Sequence, residues 1–269
     1  MPTPAEKRSR LRALHESGCF VIPNPWDAGS ARMLQALGFQ AIATTSSGMA
    51  WASGRLDNEV PLDEALAHLA ELAGAVDVPL SADFENGHAD SPEDVAANVQ
   101  KALDAGVAGL SIEDMSQAPG HPLYETALAV ERVRAAKAAT TAAGAVLVAR
   151  AEGLLVRQMD LKATLDRLAA LADAGADCLY APGLRTADEI AAAVKAVAPR
   201  PLNVLMGAPG LSVAQLADLG VRRISVGGAL ARAAWGGFLR AARQIADEGR
   251  FDRLAEAATG AELKALLRR

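Results

Sequence analysis

The stretch Pro79-Leu80-Ser81-Ala82-Asp83-Phe84-Glu85-Asn86-Gly87 is an apolar run that ends in two acids and a glycine. Its apolar part, Val78 to Ala82, is too short for a helix and is bounded by Pro79 and Gly87, which predicts a buried strand. The acids then lie at the carboxyl end of that strand. Strand alternation would turn Asp83 and Glu85 to the same side, where two carboxylates repel each other unless something positive stands between them. A divalent metal would resolve the conflict; capping of the next helix or pairing with arginines is the alternative. A second acidic strand end, Leu110-Ser111-Ile112-Glu113-Asp114, follows further on, and an oxygen-rich set of this kind suits magnesium or manganese better than zinc.

Outward from this strand the chain repeats one unit. Ala36-Leu37-Gly38-Phe39, Asp104-Ala105-Gly106-Val107, Asp173-Ala174-Gly175-Ala176 and Asp218-Leu219-Gly220-Val221 each end a helix with glycine and open a strand. Apolar patterning places strands at 19–23, 40–44, 78–82, 107–113, 145–149, 176–181, 201–206 and 223–226. Helical spacing covers 4–17, 28–37 after an Asp27 N-cap, 61–75, the segment opened by Ser91-Pro92-Glu93, and then 126–142, 160–174, 186–197 and 212–219. Eight alternating units favour an α/β fold of the (β/α)8 TIM-type barrel over an open doubly wound sheet. The open sheet would want a glycine-rich fingerprint after its first strand, where this chain has Asn24-Pro25-Trp26. Thr45-Ser46-Ser47-Gly48 reads as a small polar loop, either an anion cradle or a plain turn, and Met49 to Glu59 as a long loop.

The 269 residues fit one barrel domain spanning 1–269, with 229–269 as a C-terminal helical extension that carries Trp235 and Phe238 and exceeds what eight units need. A formal net charge of -5 with interspersed signs leaves no basic footprint for nucleic acid or an anionic membrane. Cys19 and Cys178 sit in apolar runs and read as free thiols in a reducing compartment. Met1 to Arg12 lacks an apolar signal core, and no apolar run reaches the roughly 18 residues of a membrane span, so a cytoplasmic location is expected.

Barrel active sites lie at the carboxyl ends of the strands. The unusual polar groups fall there: Trp26 and Asp27, Thr45 to Gly48, Asp83 and Glu85, Glu113 and Asp114, Arg150 and Glu152, Tyr180, Asn203, Met206-Gly207 and Gly227-Gly228.

With those residues placed, the chain resembles the isocitrate lyase and phosphoenolpyruvate mutase superfamily. The matching segments are Asn24-Pro25-Trp26-Asp27-Ala28, Thr45-Ser46-Ser47-Gly48, Gly54-Arg55-Leu56-Asp57, Ala82-Asp83-Phe84-Glu85-Asn86-Gly87, Ser111-Ile112-Glu113-Asp114, Val148-Ala149-Arg150 and Pro201-Leu202-Asn203-Val204. The resemblance implies a helix-swapped barrel assembled as a dimer of dimers, magnesium (with manganese as a substitute) held largely through water, and a small carboxylate substrate. It implies Asp83 as the direct metal ligand with Glu85 and Glu113 holding its waters, and Glu85 stands where many relatives carry aspartate. Ser46, Ser47 and Gly48 would bind the substrate carboxylate, with Trp26 and Asn203 also on the substrate. Asp57 would lie near the reacting centre, and Arg150 would neutralise a carboxylate or oxyanion.

One segment departs from the family. Lyase relatives carry a Lys-Lys-Cys-Gly-His-like loop after the Glu113 strand, and this chain has Gln117-Ala118-Pro119-Gly120-His121-Pro122. His121 remains a candidate acid, but Pro119 holds the cysteine position and cannot transfer a proton. The lysine and asparagine that phosphonate enzymes place in this loop are absent too. The expectation is a magnesium-dependent lyase that breaks a carbon–carbon bond in a 2-oxo or 2-hydroxy acid, with Tyr180, His121 or water relaying the proton. A phosphonopyruvate mutase or hydrolase and a non-catalytic 2-oxo acid binder are the rivals.

Overall fold

The computed structural model describes residues 2–116, 118 and 120–268. Eight strands alternate with helices as the repeats predict: β1 (Phe20–Ile22), β2 (Ile42–Ala43), β3 (Leu80–Asp83), β4 (Gly109–Glu113), β5 (Val146–Arg150), β6 (Cys178–Tyr180), β7 (Leu202–Leu205) and β8 (Arg223–Ser225). All pairings are parallel, in the order β1-β8-β7-β6-β5-β4-β3-β2. The Ala43 N–H, donated to the Pro23 carbonyl at 3.0 Å, bridges the remaining gap, so the sheet is a nearly closed barrel rather than an open one. Asn24 latches the same seam. Its Oδ1 accepts the N–H groups of Val226 (2.9 Å) and Gly227 (2.8 Å), while its Nδ2 donates to the Thr44 carbonyl (2.8 Å).

Period-2 alternation divides the strand residues between two cores. Ile42, Leu80, Ala82, Leu110, Ile112, Leu147, Ala149, Leu179, Leu202, Val204 and Ile224 face outward and pack against the helices. Phe20, Ile22, Ala41, Ala43, Val146, Val148, Cys178 and Tyr180 form a separate cluster inside the ring, joined by Leu11. Leu11 comes from α1 (Pro4–Glu16), which plugs the amino-terminal mouth. The basic residues of α1 satisfy backbone carbonyls around that rim: Lys7 Nζ donates to Ala73 and Val76, Arg8 to Leu103, Val107 and Ala143, and Arg12 to Ala145. Several of these carbonyls close helices α4 (Leu62–Ala75), α5 (Pro92–Asp104) and α6 (Thr126–Ala143), whose last turns have no internal partner for them.

Two local expectations change. Ser46 to Ala52 is a helix, α3, rather than a loop. Thr45 supplies its N-cap, with Oγ1 accepting the Gly48 N–H at 3.4 Å, so the small polar residues that read as a turn are a capped first turn. Glu85 is not a strand residue: β3 ends at Asp83, and Glu85 has φ 47°, in the left-handed region. Its carbonyl accepts the Glu113 N–H at 2.9 Å, which pins this turn to β4 and takes its side chain out of the strand's alternation. The glycine-ended helices, the Asp27 cap (Oδ1 to Ser30 N–H, 2.6 Å) and the two free cysteines match the sequence reading.

His15, beside Leu11, is buried, with its Nδ1 on the Leu11 carbonyl at 2.8 Å and its ring edge-on to Phe20. A carbonyl only accepts, so Nδ1 carries the proton, and the buried Nε2 has no partner. Burial, then the Arg223 charge, lowers its pKa from 6.5 to about 4. The unfolded chain therefore takes up a proton below pH 6.5 that the folded one refuses until about pH 4, and stability falls as pH drops through that window. Chemical denaturation at pH 7 and pH 4.5 should show this loss reduced by up to about 3 kcal/mol in His15→Gln; an equal loss in both proteins would contradict a buried neutral imidazole.

Candidate active site

A cavity of about 160 Å3 opens at the carboxyl ends of the strands, lined among others by Asn24, Ser46, Ser47, Asp57, Asp83, Arg150, Tyr180, Asn203, Arg223 and Ser225. Its wall is organised around Arg150, at the end of β5. Nη1 binds Asp83 Oδ1 (2.6 Å), Nη2 binds Glu113 Oε2 (3.0 Å) and Nε binds Glu152 Oε1 (2.9 Å), with the Tyr180 ring centre 5.2 Å from the guanidinium. Burial alone would depress the guanidinium, but Glu113, Glu152 and Asp83 outweigh it and hold its pKa well above the ordinary value.

One guanidinium does not neutralise the acids gathered here. Burial pushes Glu85 up to about 8, helped by Asp83 and Asp57 and opposed by Arg150. Burial also raises Glu113 well above the usual carboxylate range, and Glu152 to a lesser degree, with Arg150 countering both. Asp57 stands at the rim, its carboxyl raised by the surrounding protein despite a Ser46 hydrogen bond. Asp83 is fixed on its other side by α3, whose Ser46 N–H and Oγ both donate to Oδ2 at 3.1 Å, and its own N–H donates to Thr44 Oγ1 at 2.8 Å.

The structure thus brings Asp57, Asp83, Arg150, Ser46, Ser47 and Asn203 to one cavity. Glu113 lies behind it, against Arg150. Glu85 lines a neighbouring cleft with Asn58, Asn86, His88 and Asp90. Gly48 and Trp26 support α3 from behind: a Cβ at Gly48 would sit 2.9 Å from the Trp26 Cβ and 2.6 Å from the Thr45 Cγ2, so only glycine lets the two segments meet. His121 is exposed, away from the cavity lining. Pro119 and Gln117 lie outside the described residues. Among the described residues no three His, Cys, Asp or Glu side chains already converge into a metal cage, because Arg150 stands between Asp83, Glu113 and Glu152. Cys178 is walled in, and burial pushes its thiol up to about 12, leaving it unreactive.

Residues 11–246 match the family described as phosphoenolpyruvate phosphomutase. The chain belongs to the isocitrate lyase and phosphoenolpyruvate mutase superfamily. A crystal structure from Burkholderia cenocepacia J2315, provisionally named a lyase/mutase, is 48% identical over 97% of this chain and 95% of its own, with a TM-score of 0.93. A 2,3-dimethylmalate lyase of the superfamily is 27% identical over 100% and 96% (TM-score 0.86). A phosphonopyruvate hydrolase solved with oxalate and Mg2+ is 25% identical over 97% and 94% (TM-score 0.86). Superfamily members act as lyases and mutases, and small carboxylates are their substrates. No helix among the described residues is long and apolar enough to cross a membrane.

Among the lining residues that sequence reasoning passed over are Asn24, Arg223 and Ser225. Asn24 read as part of a turn, and Arg223 as the opening of a strand. Ser225 lies two residues beyond Arg223, and this spacing was the available signal that both face the cavity.

Asp114 anchors the outer edge of the site. Its Oδ2 pairs with Arg167 Nη1 at 2.6 Å, with both side chains almost wholly buried, and its Oδ1 accepts the Glu152 N–H at 2.8 Å. Asp114→Ala leaves the Arg167 charge uncompensated and should destabilise the fold by about 3–5 kcal/mol in urea titration. Asp166→Ala, which breaks the exposed pair with Lys162, should change it by no more than about 0.5 kcal/mol. Similar effects for the two would contradict the buried-pair reading.

Proposed function

We propose that this protein is a divalent-metal-dependent lyase that cleaves a carbon–carbon bond of a small 2-oxo or 2-hydroxy carboxylic acid. The observation that carries the reading is Asp83, clamped between Arg150 and Ser46 on the cavity wall with Glu113 beside the same guanidinium. These residues fit a hard cation: the donors are carboxylate oxygens, Asp83 and Glu113 share the Arg150 guanidinium with Glu152, and the Glu85 carboxyl has no hydrogen bond of its own among the described residues. Asp83 would hold Mg2+ directly, with Glu85 and Glu113 holding it through water; Mn2+ would suit the same donors. Bound there, the metal would polarise the substrate's 2-oxygen and stabilise negative charge on the product of bond cleavage.

The chain's own groups supply the rest. Ser47 presents its hydroxyl to the substrate carboxylate, while Ser46 keeps its own on Asp83. Arg150, fixed by Glu113 and Glu152, sets the orientation of Asp83 and contributes positive charge at the wall. Asn203 Oδ1 is buried without a partner and accepts a hydrogen bond from a substrate hydroxyl. For a 2-hydroxy acid, the hydroxyl proton passes to the Asp57 carboxylate, the carbon–carbon bond breaks, and its electron pair stays on the departing fragment. That fragment then takes a proton from Tyr180 Oη or from water. Tyr180 lines the cavity, and its burial raises the phenol so that it holds its proton at neutral pH. The 2,3-dimethylmalate lyase among the relatives supports carbon–carbon cleavage, while the phosphonopyruvate hydrolase keeps phosphorus–carbon cleavage as the rival.

Assays with Mg2+ on oxaloacetate, 2-methylisocitrate, 2,3-dimethylmalate and phosphonopyruvate, each presented separately, decide between the two. The expected result is turnover of one of the first three that falls by at least about a thousandfold in Asp83→Ala. Turnover of phosphonopyruvate alone would replace the lyase assignment. Binding without turnover of any would favour a non-catalytic barrel.

Helix α10 (Ala229–Glu248) buries only Ala231 and exposes Phe238, Leu239 and Ile245, with Phe251 and Leu254 exposed just beyond. We further propose that a second copy of the chain covers this face in a helix-swapped homo-oligomer, a dimer of dimers at full assembly. Light scattering at micromolar concentration should give a dimer or tetramer; a clean monomer would refute it.

A further inference from the structure

The cavity contains a second guanidinium in an unusual electrostatic position. Hydrogen-bond register across the sheet aligns Glu113 with Arg150, Arg150 with Tyr180, Tyr180 with Asn203, and Asn203 with Arg223. A single row of polar side chains therefore runs from the acidic wall to β8. Arg150 and Arg223 stand three strands apart in this row, at spacings of about 4.8 Å per strand. The two arginines are opposite in their surroundings. Arg150 has a carboxylate on each of Nε, Nη1 and Nη2.

Arg223 is 4% exposed and pairs with no carboxylate among the described residues. Its Nη2 reaches only the Ser81 hydroxyl, at 3.3 Å, and its Nε and Nη1 are buried without a partner. The neighbouring Asn203 donates Nδ2 to Ser225 Oγ at 2.9 Å, and its unpartnered Oδ1, an acceptor, suits a substrate hydroxyl rather than a carboxylate. Both side chains line the cavity. A buried charge without a counter-ion is costly, and a fold keeps one when something of opposite charge arrives to pair with it. Two parallel N–H donors on one guanidinium match the two oxygens of a carboxylate.

We propose that Arg223 is the receptor for a second carboxylate of the substrate, with Asn203 beside it, and that it selects dicarboxylic over monocarboxylic acids. This rests on the lyase reading for the identity of the substrate, but not for the existence of the subsite. The carboxylate-bound Arg150 is then a positioning group for Asp83, and the free positive charge of the cavity is Arg223. The first carboxylate and the 2-oxygen lie at the wall of Ser46 and Asp83, and the second points along the row to β8.

Succinate and butyrate test this directly, because they have four carbons each, two carboxylates against one, and no 2-oxygen to react. Their binding is read by calorimetry whether or not any lyase assay succeeds. Wild type should bind succinate at least about tenfold more tightly than butyrate, a difference of about 1.4 kcal/mol. Arg223→Met should abolish that preference while leaving butyrate affinity within about twofold. Arg223→Lys, which keeps the charge but loses the fork, should retain part of it. The melting temperature of ligand-free Arg223→Met should equal or exceed that of wild type, since an unpaired buried charge is removed. No preference in wild type, or a preference that persists in Arg223→Met, would overturn the proposal. A fall in melting temperature with succinate and butyrate weakened alike would make Arg223 a structural strut. If Arg223→Met does not fold, Arg223→Gln takes its place: loss of the preference there supports the subsite, and its persistence overturns it.

Discussion

The site depends on one cation shared among several anions. Arg150 joins the end of β3 through Asp83, the end of β4 through Glu113 and the turn after β5 through Glu152. Three chain segments that would repel one another are held at fixed spacing by a group that cannot be deprotonated in a protein. Removing water from these charges is unfavourable, and the ion pairs offset that only because each guanidinium nitrogen has its own carboxylate. The result is a rigid wall of carboxylates, and in the neighbouring cleft burial, with Asp83 and Asp57, pushes the Glu85 carboxyl up to about 8.

Around this wall, the barrel separates support from chemistry. On the amino-terminal side, α1 closes the ring with Leu11 and returns hydrogen bonds to the carbonyls of three helix ends. On the carboxyl-terminal side, small inward residues at Ala43 and Ser111 leave the interior open, so polar groups line a cavity instead of a packed layer. The fully buried Arg132, stacked 4.0 Å from the centre of the Tyr124 ring, binds the carbonyls of Asn86, Ala89 and Asp90 and so fixes the turn that follows Glu85. That support lets Glu85 keep a left-handed backbone that other side chains seldom adopt.

Most of the architecture was legible in the sequence because glycine ended four helices just before apolar runs, and both signals are local. The acids at Asp83 and Glu113 were legible for the same reason: each closes a short strand. Glu85 was only half legible, since alternation assumes that the strand continues and here it stops two residues earlier. Helix α3 was hidden because threonine, serine and glycine favour turns and N-caps alike, and only the backbone decides between them. Arg223 read as the opening of the last strand, and its two-residue spacing from Ser225 was the local sign of its inward direction. Its burial depends on a partner strand from the opposite end of the chain, which no local pattern reports. His121 shows the converse, a residue type suited to acid–base work whose position in the fold leaves it on the surface.

That long-range partnership has a consequence for how the protein comes into being. Phe20 pairs with Arg223, and Asn24 holds the amides of Val226 and Gly227, so the first strand waits for the last before its ladder exists. Pairings of such sequence separation carry a loop-closure entropy that local contacts do not. Until β8 emerges from the ribosome, β1 and β7 are open edges, able to pair with the wrong neighbour. A chain that ends between β5 and β8 already has Asp83, Glu113 and Arg150, yet it lacks the opposite wall of the cavity. Such a chain presents open strand edges and no complete pocket until β8 is in place.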